Sequence, residues 1–384
     1  IFISFFTAIS IGTTAVVSRN YGKRDYSKTN QIIGQSILVS IIIGLLVGSI
    51  CLIFYKPILY VSGADDSVLK FAIPYYLIVA VPSVFLCLQL VLSSCLRAIK
   101  DTKTPMYATG FSNVLNILLD ILFIHLGMGV IGLALATTVS RIMGMSILLF
   151  KLQHHDNSIY LSKNSFIINK EVISSLLFIG LPAGIEKIIM RVGQLIYNNM
   201  IISIGVSAYV AHNIAGTIES YAYIPAMGFG IAISTLIGIS LGENNFKQAT
   251  RSTWIGYFLS CACMIVIGLI FYIFAMPLAS IFTSTKEVQF MVADVLRLIA
   301  FFQPFSALVQ VITSALQGAG DTKFPMYSTF LGIWGIRLGL GYFLAIPLNY
   351  GLKGVWYAYA LDLTIRGILL LIRFNRGKWK TIKI

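Results

Sequence analysis

Along the chain, apolar residues run in continuous blocks of about 20 or more, separated by short polar turns. Blocks of that length match a hydrocarbon core about 30 Å thick. They are continuous rather than alternating, which excludes the strands of a membrane β-barrel. In lipid each backbone N–H and C=O must pair inside its own segment, so the blocks must be helices. The pattern predicts a helix already under way at Phe2 and ending near Arg19, then helices over 31–55, 69–97, 104–126 and 129–152. A polar stretch from His154 to Lys170 follows. Further helices are predicted over 173–202, 208–241, 248–274, 288–317, 324–346 and 351–373. The expected organisation is a first lobe over 1–153, a linker over 154–172 and a second lobe over 173–384 with a basic tail.

Composition supports a membrane class. Of 384 residues, 57% are hydrophobic and 11% charged, where a soluble domain carries about 25% charge. The net charge of +14 raises a nucleic-acid partner, but the basic residues sit in short loops between apolar blocks. Alternate loops and the tail hold eighteen Lys and Arg, among them Lys23, Arg24, Lys28, Lys100, Lys103, Lys247, Arg251, Lys323 and Lys383. The opposite loops hold four: Lys56, Lys70, Lys286 and Lys353. The richer side is expected to be cytoplasmic, with the C-terminus on it, in a bacterial inner membrane. No nucleic-acid partner is expected. Cys51, Cys87, Cys95, Cys261 and Cys263 lie in apolar runs without metal-site spacing and read as small buried hydrophobes.

The chain repeats itself. Asp101-Thr102-Lys103-Thr104-Pro105-Met106-Tyr107-Ala108-Thr109 matches Asp321-Thr322-Lys323-Phe324-Pro325-Met326-Tyr327-Ser328-Thr329 at an offset of 220, which also aligns Gly22 with Gly242. Both copies lie on the same predicted side, so the halves share one orientation and each should have an even number of spans. Six are predicted in the second half and five in the first. The offset places the start of the first copy about 50 residues before Ile1, so a first helix is expected to be missing. The expected fold class is an all-α membrane protein of two pseudo-symmetric six-helix bundles, with about eleven helices visible. Two similar bundles suit alternating access; a channel has no need of the duplication.

Leu316-Gln317-Gly318-Ala319-Gly320-Asp321-Thr322-Lys323 resembles the signature turn of the multidrug and toxic compound extrusion (MATE) family. Leu96-Arg97-Ala98-Ile99-Lys100-Asp101-Thr102-Lys103 does too, with Ile99-Lys100 in place of the usual glycines. Ala211-His212-Asn213-Ile214 and Pro225-Ala226-Met227-Gly228-Phe229-Gly230-Ile231-Ala232 are also similar to that family. The resemblance implies twelve helices in two lobes around a V-shaped cavity, and export of organic cations and other amphipathic compounds driven by Na⁺ or H⁺ entry. No other cofactor is implied. The expected partners are small amphipathic substrates and the lipid bilayer, with the protein acting as a monomer.

A charged side chain near mid-bilayer costs about 2.5–3.5 kcal/mol, so those inside spans are candidates for function. Asn116 and Asp120 share a helix face. The resemblance implies that this Asn-x-x-x-Asp pair supplies a cation or proton site, with Thr137 or Thr138 beside it and a partner aspartate in the missing helix. A buried carboxylate among neutral oxygens can hold Na⁺ or a proton. Arg141 is a candidate partner for Asp120. Glu186 and Glu219, with Tyr221 and Tyr223, are candidates for a substrate cavity in which an anionic group with aromatic faces meets a lipophilic cation. Arg337, Asp362 and Arg366 read as a buried ion-pair network, and Asp294 with Arg297 as a simple pair. A flippase for lipid-linked saccharides shares the broader fold, but it would be expected to line its cavity with several basic residues. A membrane enzyme is disfavoured: His125, His154, His155 and His212 form no catalytic motif, and no phosphate loop is present.

Overall fold

The computed structural model describes residues 2–154 and 159–382. His155 and Lys383, both used in the sequence reading, lie outside them. The described chain is all-helical. Nine helices are long and apolar enough to cross a membrane, or eleven if each of two bent pairs is one span, among the described residues. Two compact units divide the chain, Phe2–Leu181 and Pro182–Ile384, and the boundary falls inside one long helix.

The first unit contains α1 (Phe2–Gly22), α2 (Tyr26–Ile53), α3 (Tyr55–Val61), α4 (Asp66–Ala80), α5 (Ser83–Ala98), α6 (Lys103–His125), α7 (Gly129–Gln153) and the start of α8 (Lys170–Ile204). The second contains the rest of α8, then α9 (Val206–Gly242), α10 (Phe246–Ile273), α11 (Ala275–Phe282), α12 (Lys286–Ala300) and α13 (Gln303–Gly318). It closes with α14 (Lys323–Phe330), a π-helical stretch (Leu331–Leu340), α15 (Gly341–Ala345) and α16 (Gly351–Asn375).

The 220-residue offset carries through to the elements. It takes α2 onto α10, α5 onto α13 and the start of α6 onto the start of α14, residue for residue. Local chemistry repeats as well. Asp25 caps α2 by accepting from the Lys28 N–H, and Asn245 caps α10 by accepting from the Gln248 N–H, each at 3.0 Å. Arg24 and Asn244 both take left-handed backbone, as do Lys100 and Gly320. Lys100 therefore adopts a conformation that costs a side-chain-bearing residue about 1–2 kcal/mol, where the second copy has glycine.

Two predicted helices are broken. The 69–97 span is α4 and α5 at 42°, and the 288–317 span is α12 and α13 at 59°. Pro82 sits at the first break, and Pro304 in the first turn after the second. A proline without its N–H cannot continue the ladder, and a bend there relieves the clash with the preceding turn. The predicted 324–346 helix also departs from α geometry between Leu331 and Leu340. Apolar patterning alone cannot see such a change of hydrogen-bond register. Asp294 pairs with Lys353 of α16 at 2.9 Å rather than with Arg297. Cys263 is exposed rather than buried.

Candidate functional site

A cavity of about 430 Å³ opens among α8, α9, α13, α16 and the π-helical stretch, all within the unit Pro182–Ile384. Glu186, Glu219, Tyr223, Arg337 and Arg366 line it. Three polar groupings define its chemistry.

The first centres on Glu186, buried at 3% exposure. Its carboxylate accepts from Gln317 Nε2 at 2.9 Å and from Thr329 Oγ1 at 3.2 Å. Both donors are neutral. They flank the second copy of the repeated turn: Gln317 closes α13 and Thr329 rides on α14. The Asp321 carboxylate of that turn takes Arg373 Nε at 2.7 Å, which ties the turn to the end of α16. The motif thus holds the two donors to a buried acid.

The second grouping is Glu219, which accepts from Tyr359 Oη at 2.6 Å. The Tyr359 ring in turn lies 4.1 Å from the Arg337 guanidinium carbon, within cation–π range. Nearby, Tyr223 Oη donates to the Gln310 side-chain oxygen. His212 is packed between the rings of Tyr197 and Trp356 at 5.6 and 5.5 Å.

The third grouping is the predicted ion network. Asp362, at 0% exposure, accepts through Oδ2 from Arg337 Nε at 3.1 Å, Arg337 Nη2 at 2.6 Å and Arg366 Nη2 at 3.1 Å. One carboxylate faces two guanidiniums. Arg337 lies in the π-helical stretch, whose wider turn offsets its side chain from the α-helical register. At the equivalent repeat position, regular α6 carries Ile117 instead. Gly332 lets Asp362 come close: a Cβ there would stand 2.1 Å from Asp362 Oδ1. Gly332→Ala is expected to force this triad apart and to destabilise the protein by about 1–3 kcal/mol. Thermal unfolding monitored by Trp fluorescence checks this; an unchanged midpoint would mean that the π-helical stretch yields freely.

Tyr221 requires a correction. It is 66% exposed and does not line the cavity. An α-helix turns about 100° per residue, so a side chain two positions from Glu219 points about 200° away from it. Adjacency in sequence to Glu219 and Tyr223 misled the reading. Sequence reasoning also missed Tyr359, Gln310, Gln317 and Thr329. Gln317 and Thr329 were quoted in motifs, but only the fold shows that they meet an acid 131 and 143 residues away.

In the unit Phe2–Leu181, Asn116 and Asp120 sit on the inward face of α6 with Ser112, opposite the exposed Val114, Ile117, Leu118 and Ile121. Asn116 Nδ2 and Asp120 Oδ1 are buried without a hydrogen-bond partner. Thr137 donates to the Leu133 carbonyl at 3.0 Å, Thr138 to the Ile78 carbonyl at 2.8 Å, and Arg141 to the Val79 carbonyl at 3.5 Å. The structure leaves these three without a hydrogen bond to Asp120 among the described residues. Each threonine oxygen retains lone pairs for a cation.

The MatE family model matches residues 1–122 and 182–343. The chain belongs to the MATE family. The "Probable multidrug resistance protein NorM" of Thermotoga maritima is 30% identical over 381 residues, 97% of this chain and 81% of that protein. The "Uncharacterized transporter YisQ" of Bacillus subtilis is 26% identical over 98% of this chain and 84% of that one. A solved MATE structure in the bent conformation has the same fold, with a TM-score of 0.92 at 21% identity over 99% of this chain and 85% of that one. This MATE protein is a multi-pass membrane transporter, not an enzyme.

Proposed function

We propose that this MATE protein is a secondary antiporter that exports amphipathic or cationic organic compounds in exchange for Na⁺ or H⁺. It acts as a monomer in a bacterial inner membrane, with its C-terminus cytoplasmic. The observation that carries the reading is Glu186: a buried carboxylate whose hydrogen-bond donors among the described residues are neutral, at the wall of a cavity lined by Glu219 and aromatic rings. Its two hydrogen-bond partners carry no charge, so a cation or a proton can join the carboxylate without displacing a fixed counter-charge from them. Gln317 and Thr329 offer oxygens to Na⁺ if the Gln317 amide turns over, and they serve a protonated carboxyl equally well. Arg337 and Arg366 in the cavity wall are both engaged by Asp362, and Glu186, Glu219 and the ring faces, beside Lys187, remain to meet a lipophilic cation.

Asp120 is the second coupling candidate. Asp120 presents a buried carboxylate oxygen without a partner, the state that a bound cation or proton relieves, with Asn116 one turn away on the same face. The multidrug resistance name of the Thermotoga maritima relative supports the substrate class. The test is ethidium efflux from drug-sensitive bacteria expressing the full-length protein, driven by an imposed Na⁺ or pH gradient. Efflux is expected with one of the two gradients, and Asp120→Asn is expected to abolish it. Unchanged efflux in that variant removes Asp120 from the mechanism, and gradient-independent loss of ethidium removes antiport.

A further inference from the structure

The ends at which α2 and α10 begin are copies of one another, yet they carry different chemistry. At the start of α2, a cavity of about 460 Å³ is lined by uncharged groups, among them Ser27, Asn30, Gln31 and Tyr160. The polypeptide that follows α7 lies on this end. Asn30 Oδ1 accepts the Tyr160 N–H at 3.3 Å. Gln35 Nε2 donates to the carbonyls of Ser165 at 3.1 Å and Ile167 at 2.8 Å, and its Oε1 accepts the Asn169 N–H at 3.2 Å. Gly34 makes the approach possible, since a Cβ there would stand 2.2 Å from the Ser165 oxygen.

The 220-residue offset takes Ser27 to Lys247, Gln31 to Arg251, Gly34 to Trp254 and Gln35 to Ile255. The amides that bind a polypeptide are replaced by cations and an apolar side chain. An indole stands where glycine admitted the backbone. Lys380, from the segment after α16, joins Lys247, Arg251 and Trp254 around a cavity of about 370 Å³. That segment is fixed in place: Trp379 is buried, stacks on Phe374 at 5.0 Å, and donates its indole N–H to the Phe374 carbonyl at 2.8 Å. No ion pair neutralises Lys247, Arg251 or Lys380 among the described residues. On the same face of α10, beyond Trp254, Ile255 and Phe258 stand outward at 50% and 63% exposure. Three cations without a carboxylate partner among the described residues, an indole and then bare hydrocarbon lie along this side of α10.

We propose that this cavity binds the phosphate headgroup of an anionic phospholipid, whose acyl chains run along Ile255 and Phe258. Basic pockets at the ends of membrane helices recognise such headgroups, and Trp at that depth sits at the interface between headgroup and hydrocarbon. A soluble phosphate would meet the same cations but has no use for the apolar strip. Each cation near an anionic surface is worth about fivefold in binding, so removal of all three weakens retention about 100-fold.

The test uses the full-length protein in detergent, titrated with phosphatidylglycerol or phosphatidylcholine. Native mass spectrometry reads retention, and Trp fluorescence reads the thermal midpoint. Phosphatidylglycerol is expected to be retained and to raise the midpoint; phosphatidylcholine is not. The Lys247→Gln/Arg251→Gln/Lys380→Gln variant should lose about 100-fold in retention while matching the unmodified protein's midpoint in phosphatidylcholine. Arg251→Lys should keep the binding. If the triple variant folds poorly, the single glutamine variants still decide, each with an expected loss of about fivefold. Phosphatidylglycerol retained equally by the glutamine variants overturns the proposal. So does inorganic phosphate that displaces the lipid and raises the midpoint by itself, which would make the cavity a soluble-anion site.

Discussion

Asp362→Ala is expected to lower the stability of the protein by about 3–5 kcal/mol, because it leaves two guanidiniums buried without a counter-charge. Asp362 accepts hydrogen bonds from both Arg337 and Arg366, and at 0% exposure it gives water no access to replace it. For a unit of this size the loss corresponds to a fall of about 10 °C in thermal midpoint. Asp362→Asn keeps an acceptor for one guanidinium and should fall less. The informative control is the pair Asp362→Leu/Arg337→Met. If the cost comes from stranded charge, removing one guanidinium along with the acid recovers part of it, and the two substitutions are strongly non-additive. A midpoint within 1–2 °C of the original in Asp362→Ala would mean that the guanidiniums reach other acceptors, and that the network does not hold α16 against the π-helical stretch.

That network was legible in the sequence because its logic is short-range and costly. Charges inside an apolar block must be compensated, and Asp362 and Arg366 stand one turn apart. The apolar spans were legible for a similar reason, since block length and loop charge are one-dimensional signals. The repeat gave more: one offset relates caps, left-handed turns and helix ends across the two halves. What sequence hid was rotation. Tyr221 was grouped with Glu219 and Tyr223 by adjacency, although an α-helix sends it to another face. The breaks after α4 and α12 left hydropathy unchanged, so the pattern read straight across them. The π-helical stretch is invisible for the same reason, yet it decides where Arg337 lies. Asp294 found Lys353 rather than Arg297 because α16 comes alongside α12, which no local spacing reports.

Glu186→Gln is expected to cost gradient-driven efflux about 5–150-fold, the range of a coupling free energy between two sites, while leaving the fold nearly intact. The two halves of this prediction follow from the donors. Gln317 and Thr329 are neutral, so the site does not need a negative charge to be satisfied. A glutamine keeps one oxygen for one of them and loses the other bond, a cost of about 1 kcal/mol. What it cannot do is change charge. An ion biases which way a cavity opens only through its differential affinity for the two states, and an uncharged amide offers neither a proton site nor a carboxylate for Na⁺. Stability and transport should therefore separate: the thermal midpoint falls by a few degrees, whereas export against a Na⁺ or pH gradient drops towards that of cells without the protein. Glu186→Asp, which keeps the charge on a shorter stem, should retain part of the coupling with a shifted ion dependence. Efflux in Glu186→Gln that follows the gradient as steeply as in the unmodified protein would place the coupling elsewhere, with Asp120 next in line. A midpoint collapse as large as that of Asp362→Ala would instead assign Glu186 to holding α8 against α13 and α14.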